Sequence, residues 1–418
     1  MKNNNILVSI NLMLITLSLL FSMLISGLGI SYLLLGLFAI ALYTYESKKL
    51  KSSLYDSMLL LVILPFLFII LFYGSEPFFL FVDDKNYFSD AKFEHLRPFS
   101  ELIKSYFFEL DFDFNNYLYL LSFYFKTFGY HQFVYFLINI ICLIRIFSFI
   151  SEARTEVKKK HIIRWIPLEL ILFSFFCFKD VLICLIVTEY VRRTFKSNFL
   201  IYSILSFFLV IMLEPLRVGY SFLFIFLIGI GKYTNIAKKL LRIPLLLSIW
   251  GLFVLIQFFL SSILVINNDN IIFKIFYYVD SLINRLDESS GFLSKFYESF
   301  NSGNIFTGIL IVSFTVFIPI LGLPDNYDNS DIIFLIFRAV TLLQYLLLLL
   351  SFKNLKNFRK TKYRSSLALI FISLTIIHLT FAPGMLRHSL IILPFLYSLL
   401  IHTQNENKTI SVYRRSSL

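Results

Sequence analysis

The sequence has few charged residues and few cysteines for its length. Only 15% of its 418 residues are Asp, Glu, Lys or Arg, whereas 58% are hydrophobic; soluble domains contain about 25% charged and about 45–50% apolar residues. One core could not bury this apolar excess, which excludes a soluble globular enzyme, a disordered chain and a nucleic-acid-binding domain. The three cysteines lie in apolar runs without paired spacing, which excludes a disulfide framework and a paired-cysteine metal site.

The chain also lacks the short motifs that mark several cofactor sites and nucleophile sites. It contains no Walker phosphate loop, no GxGxxG fingerprint, no HExxH and no GxSxG. ATP-driven transport, redox cofactors and zinc hydrolysis therefore lack support. We expect neither a cofactor nor a metal ion.

Long apolar runs dominate what is present. A helix needs about 20 mostly apolar residues to span a bilayer. The runs predict an all-α polytopic membrane protein with about 10–13 membrane helices, some of them short hairpin or re-entrant segments. We expect residues 1–418 to form a single integral membrane domain. The clearest spans lie near 6–26, 28–45, 57–74, 131–150, 243–266, 331–352 and 365–382.

Basic and acidic residues separate along the chain. Clusters of Lys and Arg are typical of cytoplasmic loops, so the net charge of +12 is mostly a topology signal. Residues 75–116 and 267–305 are acid-rich, and we expect them to be outer loops. The predicted cytoplasmic clusters are 48–51, 154–164, 192–196, 232–242, 353–364 and 408–415.

Some apolar segments run from one basic cluster to the next. Segments 165–191 and 199–231 are too short for two crossings, and 365–402 is long enough for nearly two, so each must turn and come back. Segment 306–323 is predicted to be re-entrant from outside. A turn at membrane depth must be enclosed by protein or line a wet cavity, because lipid cannot satisfy its backbone polar groups.

Charged residues occupy all three predicted turns. The first turn carries Lys179 and Asp180, the second Glu214 and Arg217, and the third Arg387 and His388. Charges within a membrane are expensive and often functional; the alternatives are hairpin tips that reach water or internal ion pairs. Lys179, Arg217 and Arg387 together would bind an anion, such as an anionic lipid head or a lipid-linked pyrophosphate.

Other residues are open to two interpretations. Asp83 and Asp84, in the first outer loop, could act as a general base towards a sugar hydroxyl or belong to a solvated turn. Nearby aromatic residues such as Tyr87, Phe88 and Tyr106 could stack on sugar rings or serve only in packing. Near the predicted cytoplasmic ends, snorkelling accounts for Arg145, and pairing or snorkelling for Glu189.

The order of these features resembles a known family. An acidic outer loop precedes a Phe-Lys-Asp turn at 178–180, a Leu-Arg turn at 216–217 and an Arg-x6-Pro segment from Arg387 to Pro394. This order resembles the Wzy-type polymerases of O-antigen and capsule repeat units, which are related to EpsG-like and GT-C membrane glycosyltransferases. The resemblance implies a GT-C-like helical bundle in the bacterial inner membrane.

The resemblance also implies a reaction. The enzyme would transfer a growing glycan from undecaprenyl pyrophosphate to the next lipid-linked repeat unit on the periplasmic face, without a metal ion. Arg217 and Arg387, helped by Lys179, would neutralise the leaving pyrophosphate. A chain-length regulator and a flippase are further implied partners. The acceptor base stays open among Asp180, Glu214, His388, Asp83 and Asp84.

Two other activities fit the membrane pattern. One is a GT-C-like glycosyltransferase that uses a polyprenyl-phosphate sugar. The other is a flippase or transporter of lipid-linked oligosaccharides. Transporters commonly show two similar halves, whereas this chain combines unequal spans with two long outer loops, which favours an enzyme.

Overall fold

The computed structural model describes residues 2–50, 52–74, 82–108, 116–152, 167–175, 179–194 and 198–213, with short stretches at 215–216, 221, 224–225, 228–229, 391 and 393–395. Across these ranges every helix is an α-helix and no strand occurs. The helices are α1 (Lys2–Ser26), α2 (Ile30–Leu50), α3 (Ser53–Tyr73), α4 (Val82–Glu94), α5 (Phe99–Phe108), α6 (Asn116–Phe128), α7 (Gln132–Glu152), α8 (Leu168–Phe173), α9 (Asp180–Thr194) and α10 (Phe199–Leu213). They belong to one compact unit.

Four of these helices are long and apolar enough to span a membrane. They are α1, α2, α3 and α7, with 21 to 25 residues each; at 1.5 Å per residue this is at least about 31 Å. Large apolar side chains such as Leu24, Ile30 and Phe72 are exposed on them, as expected for helices in lipid. The described part is therefore an all-helical membrane protein.

The four long helices confirm the first four predicted spans. The runs near 6–26, 28–45, 57–74 and 131–150 correspond to α1, α2, α3 and α7. The predicted spans 243–266, 331–352 and 365–382, the re-entrant segment 306–323 and the outer loop 267–305 lie outside the described residues. The single domain over 1–418 stays a prediction.

Helix α7 forms the centre of the described bundle. It packs against α2, α3, α6 and α9, and its side chains are buried along most of its length. Edge-to-face contacts join Phe66 of α3 to Phe133 and Phe136, with ring centroids 6.3 and 6.0 Å apart. Such aromatic pairs stabilise packing beyond the area that they bury.

The first predicted outer loop, 75–116, is largely helical where it is described. Helices α4 and α5 both pack against α6, and Leu102 and Tyr106 are buried. Gly129, with φ of +106°, ends α6 and allows the short turn into α7 because glycine has no Cβ to oppose that conformation.

The last two described helices are shorter than α7. Helices α9 and α10 have 15 residues each, or about 22 Å, which is less than the roughly 30 Å of a bilayer's hydrocarbon core. After α10 the chain turns at residues 215–216 and comes back. The evidence for the return is a hydrogen bond of 2.6 Å that the Tyr202 hydroxyl, on α10, donates to the Ile225 carbonyl. This return confirms the predicted turn of segment 199–231.

A buried polar cluster joins the first three helices. The Asp56 Oδ1 atom accepts hydrogen bonds from the Tyr43 hydroxyl at 3.0 Å and the Ser47 hydroxyl at 2.9 Å. The Asn11 amide donates to the Tyr43 hydroxyl and to the Asp56 carbonyl. All four side chains are buried. Because each bond crosses between helices, the cluster fixes the register of α1, α2 and α3.

Replacing Asp56 by leucine should therefore destabilise the bundle. Asp56→Leu removes the acceptor of two buried hydroxyl donors, and we expect the free energy of unfolding to fall by about 2–4 kcal/mol. Thermal unfolding in detergent measures the change. The matched control is Ser57→Ala, since the Ser57 hydroxyl bonds only within its own helix to Ser53 and is half-buried. Equal melting temperatures for the two variants would contradict the assignment.

Candidate functional site

Lys179 and Asp180 lie at the start of α9 and are both buried. Their side chains are only 7% and 2% exposed. Asp180 occupies the first turn of the helix, where the helix dipole favours a negative charge. The same dipole disfavours the Lys179 ammonium. Both residues take part in further interactions, so neither is without a partner.

The described ends of the turn that precedes this pair are enclosed by protein. Helix α8 ends at Phe173 and the chain turns at Ser174 and Phe175, which are both buried. The Asn139 amide, at the middle of α7, donates a hydrogen bond of 2.9 Å to the Ser174 carbonyl. Residues 176–178, which complete the turn, lie outside the described residues, so the turn predicted for segment 165–191 stays a prediction. Ser174 and Phe175 before it and Lys179 after it are enclosed by protein.

The start of α9, at Asp180, and the turn after α10, at Leu216, lie at a similar depth in the bundle. The hydroxyls of Tyr190 on α9 and Ser206 on α10 share a hydrogen bond of 2.8 Å. Asp180 precedes Tyr190, and Leu216 follows Ser206, by the same ten-residue interval, or about 15 Å of helix. Since α9 and α10 pack side by side and run in opposite directions, Asp180 and Leu216 lie near one level.

Helix α5 reaches that same level from the first predicted outer loop. The Tyr106 hydroxyl donates a hydrogen bond of 3.4 Å to the Met212 carbonyl in the last turn of α10. Asn116, at the start of α6, donates to the Tyr106 carbonyl. The end of α10 is thus in contact with α5, which also packs against α6.

The remaining predicted site residues are not described at side-chain level. Asp83 and Asp84 fall within the first turn of α4, but their side chains lie outside the described part of the structure. Glu214, Arg217, Arg387 and His388 lie outside the described residues altogether. Whether these groups come together with Lys179 and Asp180 stays a prediction.

Two of the candidate sugar-stacking aromatics are buried. Phe88 packs against Phe125 and Tyr130, with ring centroids 5.4 and 4.7 Å apart, and Tyr106 is also buried. Their packing interpretation is therefore the right one, because a buried ring presents no face to a sugar. Tyr87 is half-exposed beside Tyr117.

A charge cluster that sequence reasoning missed joins α2, α7 and α9. Both oxygens of Glu189 accept hydrogen bonds from the Arg145 guanidinium, at 3.0 and 2.9 Å. Arg145 also pairs with Glu46, which is fully buried and accepts a hydrogen bond from Ser148. Arg192 pairs with Glu189 at 2.8 Å. The pairing predicted for Glu189 is confirmed, whereas Arg145 is a paired residue rather than a snorkelling one.

The cluster also brings three predicted cytoplasmic ends together. Lys49, in the last turn of α2, pairs with Glu152 at the end of α7 at 2.7 Å, and Arg192 on α9 lies 3.2 Å from the same carboxylate. Acids and cations alternate through the cluster, so its charges are already compensated. We therefore assign it a role in stability rather than in binding.

Comparison of the chain with protein-family models, with curated proteins and with solved structures finds no match. Among the described residues, no group of three or more His, Cys, Asp or Glu side chains could hold a metal ion. The buried pair Lys179–Asp180, at the level of the α10 turn, is thus the candidate site that geometry supports best.

Proposed function

We propose that the chain is a multi-pass glycosyltransferase of the bacterial inner membrane that polymerises lipid-linked oligosaccharide repeat units. The observation that carries the proposal is the buried Lys179–Asp180 pair at an enclosed turn. An ion pair with a purely structural role does not have to lie at an enclosed turn. Charges within a membrane also mark functional sites more often than structural ones. Sequence adds Glu214 and Arg217, which flank the second turn.

In the proposed reaction, the acceptor hydroxyl of one repeat unit attacks the anomeric carbon of the growing glycan. The bond from that carbon to undecaprenyl pyrophosphate breaks, and the pyrophosphate leaves with the bonding electrons. Lys179, with Arg217 and Arg387, would stabilise the developing negative charge. These three cations would neutralise the leaving pyrophosphate, as a metal ion does in other phosphate chemistry.

The proton of the acceptor hydroxyl needs a base within hydrogen-bonding reach. Asp180, Glu214, His388, Asp83 and Asp84 are the candidates. Among them Asp180 is the one whose side chain is described, and it is adjacent to the proposed pyrophosphate-binding Lys179. A carboxylate beside an ammonium would serve both charge compensation and proton acceptance.

Deleting the gene in its host tests the proposed function. We expect the ladder of surface polysaccharide on a gel to collapse to a single repeat unit on its carrier, because assembly and flipping continue while chain growth fails. Re-expression of the unaltered gene should restore the ladder. Loss of every repeat unit would instead indicate a flippase or an earlier glycosyltransferase, and an unchanged ladder would contradict all three activities.

A further inference from the structure

The corner between α4 and α5 exposes four large apolar side chains. Phe93 and Leu96 are each 73% exposed, and Phe99 and Ile103 are nearly half exposed. We call these four residues the apolar corner. Side chains of this size on a loop in water would leave a large apolar surface unburied, which costs about 25 cal/mol for each Å².

Among the described side chains of α4 and α5, large exposed apolar ones are confined to the corner. On the exposed face of α4, one and two turns before Phe93, the residues are Ser89 and Asn86, both polar and exposed. On α5, Phe99 and Ile103 lie one turn apart along the edge of the buried face, whereas Glu101 lies on the opposite, exposed side. Helix α5 therefore has a buried face, an apolar edge and a polar face, as helices at membrane interfaces do.

Contacts place the corner at the end of a membrane span. The Lys126 ammonium donates a hydrogen bond of 3.3 Å to the His95 carbonyl and lies 5.2 Å from the centre of the Phe99 ring. The His95 ring stacks on the Tyr130 ring, with centroids 5.2 Å apart. Tyr130 belongs to the short turn that leads into α7, so the corner lies where this helix enters the bilayer.

Charged residues of both signs flank the apolar corner, and the acids include the exposed Asp90 and Glu101. Lys92 and Lys104 are exposed on either side of it, and Arg97 lies within it, paired with Glu94 at 2.8 Å and 5.9 Å from the centre of the Tyr119 ring. Large apolar side chains next to Lys and Arg match the boundary between acyl chains and headgroup phosphates.

We propose that the apolar corner is immersed in the lipid interface of the membrane that α7 spans. Phe93, Leu96 and Phe99 enter the acyl boundary, while Lys92 and Lys104 lie among the headgroup phosphates. The partner is thus the bilayer itself. Immersion holds α5, and with it the Tyr106 contact to the end of α10, at a constant depth.

Spin labels test this immersion in the full chain. The three native cysteines are replaced by alanine, single cysteines are introduced as Phe93→Cys or Leu96→Cys, and the labelled protein is reconstituted in phosphatidylcholine–phosphatidylglycerol vesicles. Collisions with apolar oxygen and with a water-soluble nickel chelate are then compared by electron paramagnetic resonance. We expect both labels to favour oxygen, at a depth of about 5–10 Å.

Matched positions supply the controls. Labels at Ser89→Cys and Glu101→Cys, on the polar faces of the same two helices, should favour the nickel chelate. A label at Phe68→Cys, exposed on α3, should favour oxygen. The proposal is overturned if the labels at positions 93 and 96 favour the chelate. Immobilised labels that neither reagent reaches would overturn it too, because they would indicate a protein partner. Gel filtration of each variant establishes that it is folded.

Discussion

Arg145→Met should strongly destabilise the described helical bundle. The change leaves Glu46, which is fully buried, and Glu189 without the cation that both share. Removing one partner of a buried ion pair costs about 3–5 kcal/mol. We expect the lower part of this range, because the Arg145 side chain is 21% exposed, and thermal unfolding in detergent measures it.

Arg193→Met is the matched control for this effect. Arg193 contacts the same Glu189 carboxylate at 3.6 Å, but its side chain is 64% exposed, and exposed pairs contribute at most about 1 kcal/mol. The double variant Arg145→Met with Glu46→Leu should recover part of the lost stability, because it removes a buried charge together with its partner. An Arg145 variant as stable as the Arg193 variant would show that the cluster carries little stability.

Lys179→Met should reduce polymer formation by about 10²–10³-fold, the cost of removing one group that stabilises charge in a transition state. The expected phenotype is a short ladder with single repeat units accumulating on their carrier, at an unchanged level of membrane protein. Arg217→Ala and Arg387→Ala should have effects of similar size. This prediction depends on the proposed function.

Lys48→Met provides the control for the lysine variant. Lys48 is exposed in the last turn of α2, at the end predicted to be cytoplasmic, so its loss should leave the ladder unchanged. Full activity in the Lys179 variant would remove Lys179 from the site. Full activity in both arginine variants would refute the assignment of the pyrophosphate site, whatever the deletion phenotype.

The sequence was sufficient to place the four long helices of the described part. Each apolar run of about 20 residues has to satisfy its backbone polar groups internally in lipid, and a helix does so without any partner. The turn near Lys179 could be predicted for a related reason. Segment 165–191 is too short for two crossings, so only a turn that is enclosed by protein or lines a wet cavity could connect its ends.

The pairing of Arg145 could not be predicted in this way. Its partner Glu46 lies 99 residues earlier in the chain. The sequence around either residue does not indicate that the two are in contact. The contact between Glu189 and Arg192 is different, because the two residues are three apart on one helical face and local spacing alone is enough to suggest it. The apolar corner was missed as well, because its four residues are separated by polar ones and form a surface only when α4 and α5 meet.

The sequence by itself thus determined that the described part of the chain is a helical membrane protein and where its first spans lie, and it predicted charged turns between basic clusters. These properties depend on each segment's own solvation in lipid. Only the tertiary structure decided which charges compensate one another, which aromatic rings are buried, and that the α9 and α10 turns reach one depth. Those properties depend on distances between helices that are far apart in the chain, and helix packing determines them.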